Sequence, residues 1–188
     1  MAAHMVSANN ARLRGRLTEM TESRTEPSTH EAQLAVISEE FPNTIKPLKF
    51  QLPEDRYTCG MYVFDFSEDP DYLEIAGFGL PHVYAGPTFF EWLLAGQLLE
   101  EVDEQCAHDE DLIMYFENGQ WKHVGFWRLN DRVESKWGLG LLYHHGRWEV
   151  PDCYGDQVRF FRSVSPEAAI EHFIRYAQSR GAPVELAE

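Results

Sequence analysis

The chain has 188 residues, enough for one domain, and 44% hydrophobic with 25% charged residues is an ordinary globular composition that excludes a disordered or fibrous class. Sixteen Lys plus Arg against 31 Asp plus Glu give a net charge of −15, which argues against nucleic acid and anionic membranes as partners, because phosphate binding needs clustered cations. No apolar run approaches the roughly 18–20 residues of a membrane span. No apolar stretch follows Arg12, Arg14 and Arg16 as a secretory signal requires, and three irregularly spaced cysteines make no closed disulfide framework, so a reducing, cytoplasmic setting is expected.

Residues up to about Ser28 are polar and rich in Thr, Glu, Ser and Arg. They read as a flexible or partner-ordered arm. Within residues 1–44, only Glu31 to Glu40 suggests a short helix, using Leu34, Val36 and Ile37 and ending at Phe41-Pro42. The folded domain is expected over residues 45–188. Lys46 to Leu52 reads as an extended lead-in, and an apolar segment with loose helical spacing begins near Cys59. Gly77 to Pro87 reads as a loop. Thr88 is placed to cap a helix with the stripe Phe89, Trp92, Leu93, Leu98, Leu99 and Val102. Glu100 to Glu104 would then be a solvated acidic end.

After Asp109-Glu110 the period changes to that of strands. Leu112–Phe116, Lys122–Leu129 and Arg132–Trp137 are joined by the turns Asn118-Gly119 and Asn130-Asp131. Gln157–Ser163 reads as a last strand. Ser165-Pro166-Glu167 opens a C-terminal helix with the stripe Ala169, Ile170, Phe173, Ile174 and Ala177. Helices, then an antiparallel meander, then a helix make an α+β fold, with N-terminal helices packed on a small antiparallel sheet.

Two residues stand out chemically. Cys59 heads a possible helix, where the N-terminal dipole favours the nucleophilic thiolate, although a free cysteine is more often a buried apolar group. His123 shares a strand face with Gly125 and Trp127, and the small glycine leaves room beside the imidazole for another backbone or a substrate. A cysteine with a sequence-distant histidine is the arrangement of thiol hydrolases. His144 and His145, beyond the Gly138–Gly140 break, could reach the cleft but read rather as loop residues. Together with Cys106, His108 and Cys153 they lack the close paired ligands of a structural zinc site, so no metal or cofactor is expected.

The blocks Asp111-Leu112-Ile113-Met114-Tyr115-Phe116 and His123-Val124-Gly125-Phe126-Trp127 resemble the NlpC-type branch of the papain-like cysteine peptidases, which carries Gly-Asp-Leu-Val-Phe-Phe and His-Val-Gly-Ile-Tyr. Tyr57-Thr58-Cys59-Gly60 falls where the family places its nucleophile, although the family usually has Asp-Cys-Ser-Gly. Glu134 to Gly138 and Tyr154 to Phe160 resemble a little-characterised bacterial subgroup. The resemblance spans roughly Arg56 to Arg162. It implies a papain-like fold in which Cys59 is the nucleophile, His123 its base, and Ser135 or Glu134 the residue orienting His123, with the Cys59 N–H stabilising the oxyanion. The implied substrate is a peptide or peptidoglycan-like amide, and the implied setting is a bacterial effector, defence or phage-related protein. The irregular nucleophile motif and the weak third residue leave a second reading open: a catalytically silent papain-fold module that binds a protein partner.

Overall fold

A computed structural model describes residues 8–22, 27–49, 57–138 and 140–184. Its helices are α1 (Ala8–Glu22), α2 (Pro27–Glu40), α3 (Cys59–Val63), α4 (Pro70–Gly77), α5 (Pro87–Ala95) and α6 (Pro166–Ser179). The strands are β1 (Lys46–Leu48), β2 (Glu101–Val102), β3 (Leu112–Glu117), β4 (Gln120–Arg128), β5 (Arg132–Lys136), β6 (Leu142–Gly146) and β7 (Gln157–Phe161). Among the described residues the fold is therefore α+β, with six helices around one seven-stranded sheet in the order β1-β6-β5-β4-β3-β7-β2. Every neighbouring pair is antiparallel. The hairpin turns follow their residues: Asn118 and Gly119 have φ of 52° and 77°, and Asn130 and Asp131 have φ of 63° and 60°. These left-handed pairs match the twist of the strands they join.

Strand alternation divides the core. Leu112, Met114, Phe116 and Val124 face α3 to α6, where Phe64, Phe66, Phe89, Phe90 and Phe173 pack closely. Ile113, Tyr115, Trp127, Val133, Trp137 and Tyr143 face the opposite way, onto α1 and α2. The central strands are thus buried on both sides, which is why β3 reads as a continuous apolar run.

Five expectations are corrected. Residues 8–22 are a helix packed on the sheet and not a mobile arm: Leu13, Leu17 and Met20 are at most 3% exposed, and their spacing makes one apolar stripe on an otherwise polar helix. The second helix begins at Pro27, ahead of the expected Glu31. In α5 the cap is Gly86 with Pro87 in the first turn, while the Thr88 hydroxyl bonds the His82 carbonyl and Tyr176 instead. That helix stops at Ala95, so Glu101 lies on β2 and pairs with Arg159, and Glu104 pairs with Arg147 at 2.6 Å. His144 and His145 lie on β6, because the glycine break at 138–140 reverses the chain into another strand. The expected cap at Ser165 is present: its side chain accepts from the Ala168 N–H.

Candidate active site

Pairing between β4 and β5 runs only from Arg128–Arg132 to Phe126–Glu134. The paired register stops there, and α3 packs against both strands. Helix α3 is short and opens at Cys59, with Thr58 as its cap accepting from the Met61 N–H at 3.2 Å. The Val124 N–H of β4 acts on the Cys59 sulfur and favours its thiolate.

His123 immediately precedes Val124 and points to the opposite sheet face, opposite Tyr115 in the ladder. It is 1% exposed, and its Nε2 has no hydrogen-bond partner among the described residues. The face of its imidazole is covered by Tyr154, with ring centroids 3.9 Å apart and planes within 13°. Tyr154 lies on a 3-10 turn over residues 152–154 that packs on β3 and β4. Gly155 closes this turn at φ 98°, where an added Cβ would stand 2.2 Å from the Phe116 carbonyl oxygen. Only glycine allows that approach.

Lys136, at the end of β5, is fully buried and donates to the Gly138 and Gly140 carbonyls at 2.8 and 2.7 Å. Its ammonium also lies 4.9 Å from the centre of the Tyr57 ring. The positive charge favours the Cys59 thiolate, as do the Val124 and Gly60 N–H groups, but burial outweighs them and pushes the thiol up to about 11. Burial likewise drives His123 well below the ordinary histidine value, and His145 and Lys136 add to the shift. The resting site thus holds a neutral thiol and a neutral imidazole.

The two residues expected to orient His123 are committed elsewhere. Glu134 accepts from the Tyr62 hydroxyl and pairs with Arg128 at 3.4 Å, on the α3 side of the sheet. Ser135 faces the other side, 2.9 Å from His145 Nε2, and accepts from Trp137 Nε1 at 3.0 Å. Because His145 Nδ1 lies 2.8 Å from the Gly146 carbonyl, Nδ1 carries the proton and the Ser135 hydroxyl donates to Nε2. The space beside Gly125 is filled by β5, since a Cβ there would meet Ser135 Cβ at 2.6 Å and the Glu134 carbonyl oxygen at 2.7 Å.

Tyr154 and Lys136 are the site residues that sequence reasoning did not single out, and His145, read as a loop residue, lies buried on β6. A lysine followed two residues later by glycine carries no chemical signature, and Tyr154 is brought to the site only by the folding of a distant turn. Among the described residues, no group of three or more His, Cys, Asp or Glu side chains is placed to hold a metal ion, and no helix is long and apolar enough to cross a membrane. A cleft of about 1000 Å³ opens elsewhere, between α1, residues 40–44 and the turns after β4 and β6, and is lined by none of these site residues. No protein-family model, curated protein or solved structure matches the chain.

Proposed function

We propose that this chain is a papain-like, NlpC-type domain that acts as a thiol hydrolase on a peptide or peptidoglycan-like amide, in a bacterial effector, defence or phage-related setting. What supports the reading is that Cys59 opens α3, which packs on β4, the strand that carries His123, while Lys136 acts electrostatically on both groups and Tyr154 stacks on His123.

In this mechanism His123 takes the Cys59 proton as the sulfur attacks the substrate carbonyl. The charge moves onto the carbonyl oxygen, and the N–H groups at the start of α3 receive it. His123 then gives the proton to the departing amine as the C–N bond breaks. Water, deprotonated by His123, cleaves the thioester and returns the thiol. The Tyr154 face supports the transient imidazolium, and Lys136 supports the negative charge that develops on sulfur and oxygen.

The test is turnover of a peptide-amide library by wild type, Cys59→Ala and His123→Ala with matched circular dichroism. Loss of about 10³-fold or more in both variants is expected. Undiminished turnover in both rejects the reading. The raised thiol favours the second reading, a silent papain-fold module, under which Cys59→Ala leaves capture of a protein partner intact.

A further inference from the structure

We infer that α1 is a working part of the site, and that Arg14 is a positioning residue which holds Tyr154 against His123 through residues 150–155. Arg14 is 2% exposed in the middle of α1. Its guanidinium donates to the Val150 carbonyl at 3.2 Å, to the Pro151 carbonyl at 3.5 Å and to the Gly155 carbonyl, so it grips the chain on both sides of Tyr154. Asp152 lies 3.8 Å away as its counter-charge. One helical turn further on, the Thr18 hydroxyl accepts from the Cys153 N–H at 3.2 Å. The gripped segment is itself closed by Tyr154 N–H to the Pro151 carbonyl at 3.1 Å and Gly155 N–H to the Asp152 carbonyl at 3.0 Å.

An apolar side chain at position 14 would pack α1 at a lower desolvation cost. What arginine adds is a planar fork that satisfies several carbonyls at fixed directions, which the single ammonium of lysine does not reproduce. Those carbonyls belong to the segment carrying the one ring stacked face-on upon His123 among the described residues. The chain of contact therefore runs from Arg14 to the 150–155 backbone, to Tyr154, to the imidazole. The other groups around His123 are Tyr115 from β3, Lys136 from β5 and His145 from β6.

For its effect on turnover, the inference rests on the thiol-hydrolase reading. Its geometry is tested separately, by NMR titration of the His123 ring in wild type, Arg14→Lys, Tyr154→Leu and the double variant, with melting curves alongside. Loosening the stack admits water to the ring. The His123 midpoint is expected to rise toward about 6.5 in both single variants, and the double variant is expected to match Tyr154→Leu alone. If wild type turns over an amide, Arg14→Lys is expected to lower kcat by about tenfold or more with little change in KM. A folded Arg14→Lys protein with an unmoved His123 midpoint overturns the inference, as do additive effects in the double variant. Should Arg14→Lys fail to fold, Thr18→Val loosens the same segment from the same helix. An upward shift there supports the inference and no shift overturns it. A wild type without turnover rejects the hydrolase reading and leaves the titration result standing.

Discussion

Cys59 shows how opposing local effects are decided by magnitude. Loss of solvent pushes the thiol up to about 11, although the backbone N–H groups of Val124, Gly60 and Cys59 and the buried Lys136 all favour the thiolate. At pH 7 it is therefore protonated and a poor nucleophile toward small reagents. Iodoacetamide is expected to modify exposed Cys106 before Cys59 at that pH, with the Cys59 rate rising toward an inflection near pH 11. Mass spectrometry of the alkylated peptides reads both rates. An inflection at or below pH 8 contradicts the neutral resting pair. Activation of Cys59 then falls to a bound substrate, which excludes water and presents a carbonyl as His123 takes the proton.

At the scale of elements, the N-terminal helix matters most. Its mean character is polar, but Leu13, Leu17 and Met20 insert into the core of the second sheet face beside Tyr115, Trp137 and Tyr143. Leu17 is 0% exposed, so Leu17→Ala leaves a cavity and is expected to cost about 2–5 kcal/mol, measured by urea unfolding. A cost below about 0.5 kcal/mol, the range of ordinary surface substitutions, shows that α1 is not part of the cooperative unit. A second element-level feature is the end of the β4–β5 ladder at Phe126–Glu134, with α3 packed against both strands. The Gly155 turn is as constrained: Gly155→Ala forces a side chain at φ 98° onto the Phe116 carbonyl, so it is expected to lower the melting temperature and to free Tyr154 from His123.

Across the whole molecule, buried titratable groups define a pH window. Burial pushes His145 down to about 3 and also lowers His123 and His30. In the unfolded chain these rings take protons near pH 6.5, whereas the folded chain resists protonation. Stability is therefore expected to fall as pH drops from about 6.5 toward 3. Cys59 acts at the other end. Its unfolded value of 9.0 lies below its folded value of about 11, so stability is expected to fall as pH rises through that interval. Denaturation midpoints should be highest between about pH 7 and 9. Because acidification also relieves the repulsion of a −15 chain, the series belongs at about 0.5 M salt, where surface charges are screened. Stability that rises steadily from pH 7 to 5 contradicts the buried-histidine account.

Local rules were enough for several features of this protein. The turn chemistry of Asn118-Gly119 and Asn130-Asp131, the strand period around His123 and the Ser165-Pro166 helix start each depend on neighbouring residues alone, and the α+β class follows from their order. Cys59 and His123 could be singled out because each carries chemistry in its own side chain and segment context. Tertiary structure decided the rest. A three-residue stripe on a polar helix acquires meaning only when a sheet face exists to bury it, so α1 read as an arm. Glu134 and Ser135 lie on opposite faces of β5, and their partners, Tyr62 on one side and His145 on the other, come from 72 and 10 residues away. Tyr154 reaches His123 only because Arg14, 141 residues before Gly155, closes the segment that carries it. Contacts of that kind leave no local period in the sequence, because loop closure and packing, not nearest-neighbour geometry, set them.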